Sequence, residues 1–183
     1  LESRNIKKLD FVLASDDNSK TSGFIENIIN KYNPASVVVH DKVLDDNKEL
    51  FKSKLNSRNN LITFETSADV DIWNNISISA VNESSESFIY LTVNDVKFLF
   101  CPSGGDAYNL PIDWKTPAFA IYGDIPDNDN MIKSNYIILT MSKDDLKGKT
   151  KPVVVNNKNV FTTSMNDMIL IDCIGNNEIS IHR

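Results

Sequence analysis

Residues 22–32, "SGFIENIINKY", place Phe24, Ile25, Ile28, Ile29 and Tyr32 at helical spacing between two short apolar runs. The first run belongs to a buried strand over residues 9–14, and the second is "SVVVH" (36–40). Pro34 stops the helix before the second run begins. A β-branched run without polar alternation reads as a strand buried on both faces. Two such strands joined through a helix cannot form a hairpin; they pair in parallel, with a right-handed crossover. A weaker helical pattern over residues 46–57, with Leu50, Phe51 and Leu55 inward, leads to a third run, "LITFE" (61–65). The opening is therefore β-α-β-α-β, which restricts the chain to architectures containing a parallel sheet.

The pattern changes near residue 70. "DIWNNISISAV" (71–81), "SFIYLTV" (87–93) and "VKFLFC" (96–101) read as three strands, and Asn94-Asp95 is a tight-turn signal. Residues 102–114, "PSGGDAYNLPIDW", read as a loop with one helical turn. "AFAIYG" (118–123), "YIILTM" (136–141), "PVVV" (152–155), "NVFTT" (159–163), "DMILIDCI" (167–174) and the closing "EISIHR" read as further strands. Asn156-Asn157 and Gly175-Asn176-Asn177 mark turns among the last of these. The chain is α/β in front and mainly β behind, with no repeat and no low-complexity segment.

At 183 residues and 41% hydrophobic, with no evident linker, residues 1–183 read as a single domain. A chain of this length buries roughly 70% of its unfolded surface. No apolar run is long enough to span a membrane. The first residues, "LESRNIKKLD", lack a signal-peptide core and stand so close to a strand that the chain reads as part of a longer one. A net charge of −6 argues against a surface that neutralises nucleic-acid phosphates. Lys48, Lys52, Lys54 and Arg58, and Lys143, Lys147, Lys149 and Lys151, read as solvated faces. Cys101 and Cys173 read as buried thiols, with one disulfide the alternative; neither has the neighbours of a zinc finger. His40 and His182 are the only histidines, too few for the usual hydrolytic zinc site.

Several stretches carry a family likeness. "NIKKLDFVLASDDNSKTSGFIENIINKY" resembles the strand-loop-helix of the metallo-β-lactamase fold, specifically the soluble domain of ComEC-type DNA-uptake competence proteins. "NISISAV…SFIYLTVNDVKFLFC" resembles that family's Asn-x-Ser strand and the hairpin leading to its Gly-Asp ligand turn. "SNYIILTMSKDD" and "NVFTTSMNDMILID" resemble its later strands. The resemblance implies a metallo-β-lactamase-like αββα sandwich, truncated at its N-terminus and lacking the family's first half.

The ligand positions depart from the family pattern. Aligned on its His-x-His/Asp-x-Asp-His loop, Asp16 takes the first histidine slot, Asn18 the second, Lys20 the aspartate and Thr21 the last histidine. "CPSGGDAYN" stands at the next ligand turn, with Asp106 its nearest carboxylate, and "AIYGDIPDN", containing Asp124, stands where a His-His-Gly-Ser turn belongs. Hydrolytic zinc needs three imidazole or carboxylate ligands and an open water position. An ammonium at Lys20 would repel a metal ion there by several kcal/mol. The resemblance thus implies a site that has lost its metal, with Lys20 in the metal's place and pairing with Asp16 or Asp106. No catalytic residue, metal or other cofactor is expected.

Other chemistries fit less well. Counted from Asp16, an EF-hand would need Gly where Thr21 stands and Glu where Asn27 stands. Thr21, Ser22 and Gly23 open a helix that could attract an anion, but Thr21 or Ser22 more simply caps it. Ser103 lacks a nucleophile-elbow setting, and neither histidine has an evident acid partner. Asp16/Asp17, Asp124/Asp127 and Asp144/Asp145 suit turns. Trp73, Trp114, Tyr90 and Tyr122 read as core or rim aromatics.

The function this implies is a non-catalytic binding or scaffolding domain of a membrane-anchored competence-like protein. It would face the cell exterior and meet the membrane only through segments outside this chain. The alternatives are an active metal-dependent phosphodiesterase or nuclease, and a secreted binding module unrelated to DNA uptake. The sequence names no partner.

Overall fold

The computed structural model describes residues 5–14, 19–40, 49, 51, 60–64, 69–73, 75–83, 86–101, 110–124, 132–140, 159–163, 169–175 and 178–182. The chain divides into two compact units, Leu1–Glu65 and Thr66–Arg183.

In the first unit, β1 (Phe11–Ala14), β2 (Ser36–His40) and β3 (Asn60–Phe64) form a parallel sheet in the order β1-β2-β3. Helix α1 (Ser19–Tyr32) connects β1 to β2. Val37, Val38 and Val39 of the central strand are fully buried, as its unbroken β-branched run predicts. β1 lies at the sheet edge, where only Ala14 is buried and the rest is half-exposed, which corrects the expectation of a wholly buried strand. Ile25 and Ile29 of α1 pack with Ala14, Val37, Val39 and Phe51. Phe51, from the second helical pattern, is fully buried; most of residues 46–57 lie outside the described residues. The helix ends on Asn33, whose φ of 43° is left-handed and whose N–H donates to the Ile29 carbonyl at 3.0 Å, immediately before Pro34.

The second unit is a seven-stranded sheet in the order β10-β9-β8-β7-β6-β5-β4, plus a hairpin. β4 (Asp69–Trp73), β5 (Ile76–Glu83), β6 (Glu86–Val93) and β7 (Val96–Cys101) form an antiparallel meander. From β7 the sheet turns parallel through β8 (Phe119–Tyr122), β9 (Tyr136–Leu139) and β10 (Val160–Thr162). β11 (Leu170–Gly175) and β12 (Glu178–His182) pair as the separate hairpin. Residues 71–81, expected to be one strand, belong to two: the chain reverses between Trp73 and Ile76. The Asn-Asn pair there is turn chemistry embedded in an otherwise continuous alternation. "PVVV" (152–155) lies outside the described residues.

The β6–β7 turn forms as predicted, with Asn94 and Asp95 both at positive φ (48° and 68°). Two successive left-handed residues define the primed turn whose twist matches the strands. The Asn94 N–H donates to the Asn75 carbonyl at 2.9 Å, and its Oδ1 accepts from the Asn75 amide. Its Nδ2 donates to the Cys173 carbonyl at 2.9 Å, tying the β11–β12 hairpin to the sheet.

Strands β7 and β8 are apolar on both faces. On one face Phe98, Phe119 and Tyr136 stack across three strands, each neighbouring pair with centroids 4.9 Å apart, and Phe161 follows at 6.3 Å. The opposite face carries Tyr90, Leu99, Ala120, Tyr122 and Leu139 beneath Leu110, Trp114 and Ile132. Ile112–Trp114 forms one 3-10 turn within the predicted loop. It lays the Trp114 ring on Tyr90 at 4.9 Å, and the Tyr90 hydroxyl donates to the Asp113 carbonyl at 3.0 Å. Trp114, Tyr90 and Tyr122 are therefore core residues, while Trp73, 40% exposed, is a rim residue. Among the described residues no helix is long and apolar enough to cross a membrane.

Phe119 is fully buried at the centre of the aromatic stack. Phe119→Ala should lower stability by about 3–5 kcal/mol. Lys97→Ala, on an exposed position of the adjacent strand, should change it by under about 0.5 kcal/mol. Urea midpoints for both variants, with m unchanged, check this.

Candidate functional site

Parallel strands deliver the loops that follow them to the same sheet edge, where α/β proteins usually assemble their sites. In the second unit that edge holds Cys101, Tyr122 with Gly123 and Asp124, and Leu139 with Thr140. The backbone ladder continues past the strand ends. Gly123 N–H donates to the Cys101 carbonyl at 3.1 Å, and Thr140 donates to the Tyr122 carbonyl through both N–H (2.9 Å) and Oγ1 (3.2 Å).

The Cys101, Tyr122 and Leu139 side chains at this edge turn into the core. Cys101 and Tyr122 are cross-strand partners, both buried in the cluster with Leu99 and Trp114. The Tyr122 hydroxyl accepts a buried hydrogen bond from the Ile132 N–H at 3.0 Å. Burial, and then the ionisable Cys101 thiol beside it, push the Tyr122 phenol well above its usual 10.0, although the Ile132 hydrogen bond favours the phenolate. Tyr122 is thus a neutral, hydrogen-bonded anchor for the 132 segment. Burial and then the Asp113 charge also raise the Tyr90 phenol.

Of the sequence-predicted site residues, Asp124 stands at this edge, half-buried, two residues past the end of β8. Asp16, Asn18 and Asp106 lie outside the described residues, as do the side chains of Lys20 and Thr21. The backbone of Lys20 and Thr21 lies in the first turn of α1, which begins at Ser19. Thr21 and Ser22 are therefore inside the helix, which corrects their reading as caps: the cap position precedes Ser19.

Both cysteines are thiols without a disulfide; Cys101 is buried and Cys173 half-buried. Burial, with the Asp172 charge second, raises the Cys173 thiol above 9.0.

One constellation escaped the sequence reading. His182 has an acid partner: its Nε2 lies 3.0 Å from Asp172 Oδ2 and 3.1 Å from Ser180 Oγ. The hairpin register, with Asp172 opposite Ser180, creates this cluster, and folding "DMILIDCI" onto "EISIHR" about Gly175 would have revealed it. It is not a catalytic triad. A relay needs the acid on one ring nitrogen and the nucleophile on the other, whereas both partners here share Nε2. The His182 and Asp172 side chains are 43% and 51% exposed, so this contact contributes little to stability.

No protein-family model and no curated protein matches the sequence. Among solved structures the chain is similar to Zn(2+)-bound PqqB from Methylobacterium extorquens, with a TM-score of 0.51 and 6% identity. The match covers 83% of this chain and 67% of that one. PqqB is a metallo-β-lactamase-fold protein, and a likeness at this identity speaks for the superfamily fold alone.

Zinc, which that PqqB structure holds, requires three or four imidazole, thiolate or carboxylate donors converging on one point. Among the described residues no three His, Cys, Asp or Glu side chains come together in that way. Among the described residues the edge of β7 and β8 offers one thiol, packed among apolar side chains, and one carboxylate. Those described donors by themselves fall short of the three that a hydrolytic zinc site needs.

Removing the Tyr122 hydroxyl leaves the buried Ile132 N–H without its partner, so Tyr122→Phe should cost about 1–3 kcal/mol at neutral pH. A raised folded pKa means the folded state holds its proton more tightly than the unfolded chain. The stability Tyr122 contributes this way is complete below pH 10.0 and is lost as pH rises through the folded value. Urea midpoints above pH 10.0 should therefore fall less steeply in Tyr122→Phe than in the parent.

Proposed function

We propose that this chain is a single metallo-β-lactamase-like αββα domain that has lost its metal chemistry and acts by binding or scaffolding. Its setting is a ComEC-like, competence-related membrane protein, with the domain on the outer face of the cell. One observation supports the non-catalytic reading: among the described residues of the β7 and β8 edge, Cys101 and Tyr122 serve the core. A catalytic edge would present converging imidazoles and carboxylates to solvent. The sequence supports the same reading, since Lys20 aligns with a ligand aspartate and neither histidine falls in a ligand slot.

Protein purified without added metal should contain no stoichiometric zinc or manganese by elemental analysis. It should also leave bis-nitrophenyl phosphate unhydrolysed when either metal is supplied. Stoichiometric metal with turnover would replace this reading by that of an active phosphodiesterase whose ligands come from unrecognised positions. Membrane-spanning segments encoded upstream of residue 1 would support the competence-like setting, and a signal peptide alone would favour a secreted module.

A further inference from the structure

A cleft of ≈ 560 Å³ lies within the second unit between the seven-stranded sheet and the β11–β12 hairpin. Packed interiors leave few voids larger than a water molecule, and a gap of this size has the volume of a small-molecule site. Register fixes its floor. Leu91 pairs with Phe98, Phe100 with Ile121, and Ile121 with Ile138, which places these five side chains on one sheet face. The facing wall includes Ile171 and Cys173, alternate residues of β11, and Asn94 ties that strand to the sheet through the Cys173 carbonyl. Asp172, between them, directs its carboxylate to the other side of the hairpin, where it meets His182. From β6 to β9 the floor crosses three strand spacings, about 14 Å. One end lies among Leu91 and Phe98, 8% and 7% exposed; at the other stand Thr163 and the exposed Thr140.

We propose that this cleft binds an elongated aliphatic chain, its tail among Leu91 and Phe98 and its polar end at Thr140 and Thr163. The walls set the chemical class. Phe100, Ile121 and Ile171 are apolar yet only half-buried, so a chain laid between them removes apolar surface from water on both walls. A polar body there would lose its hydration to side chains that return no hydrogen bond. The span of the floor across four strands suits a chain better than a compact molecule. At the exposed end, Thr140 Oγ1 donates to the Tyr122 carbonyl, which leaves its lone pairs to accept from a hydroxyl. None of these residues belongs to the aligned ligand positions, so binding here is independent of the metal question.

Titration calorimetry of the 183-residue chain with hexanol, octanol and decanol, each below its solubility limit, reads the affinity. Each added methylene should tighten binding about fourfold, the effect of moving one CH₂ out of water, with a negative heat-capacity change. Decanol should also slow the alkylation of Cys173 by N-ethylmaleimide, followed by mass spectrometry. Cys173 lines the cleft half-buried, whereas Cys101 is 1% exposed. Ile121→Trp and Ile171→Trp, which fill the cleft from either wall, should each weaken decanol binding about tenfold or more. Asp172→Asn, on the other side of the hairpin, should leave it unchanged. Circular dichroism verifies that the variants are folded. The proposal is overturned if decanol does not bind, if affinity does not rise with chain length, or if decanol leaves Cys173 alkylation unchanged. It is overturned equally if folded Ile121→Trp and Ile171→Trp bind decanol as the parent does.

Discussion

The parallel register of β7, β8 and β9 is the constraint on which the larger unit depends. Pairing Phe98 with Phe119 and Tyr136 aligns three rings on one face of the sheet. The same register necessarily places Leu99, Ala120 and Ile137 on the other face, with Tyr122 one step along beneath the 3-10 turn and the 132 segment. A slip of one residue would exchange the two faces. The aromatic stack would then meet the surface built for Leu99 and Tyr122, and both packing arrangements would fail together. The register also brings the loops after Cys101, Tyr122 and Leu139 to one edge, so the candidate site is a by-product of the core.

That dependence runs in one direction. The core of β7 to β10 is built from aromatic and aliphatic side chains, and its stability requires no donor at the edge to bind a ligand. At the described part of that edge the groups do structural work. The Tyr122 hydroxyl receives the Ile132 N–H, the Tyr122 carbonyl receives Thr140 twice, and the Cys101 thiol packs in the apolar cluster.

Much of this architecture was legible in the sequence because the signals were local. "SVVVH" declares a strand buried on both faces; "FIENIINKY" followed by Pro34 declares a helix and its end; Asn94-Asp95 declares the primed turn. The misreadings arose where tertiary context decides. Residues 71–81 alternate as one strand would, and only the antiparallel pairing of β4 with β5 puts Asn75 at a reversal. The start of α1 at Ser19 moves Thr21 and Ser22 from the cap into the first turn. The partner of His182 was invisible because Asp172 lies ten residues away and meets it only through hairpin register. Of the candidate site, sequence alignment supplied the positions, and Asp124 is the predicted residue whose place at the sheet edge is described.

The central claim is that the frame stands without metal. The most direct measurement is the melting temperature of the chain in excess EDTA and again with a molar excess of zinc or manganese. A native metal site links binding to folding and raises the Tm of the folded state. The account predicts the same Tm in all three solutions. A Tm that falls with EDTA and is restored by stoichiometric zinc would contradict it.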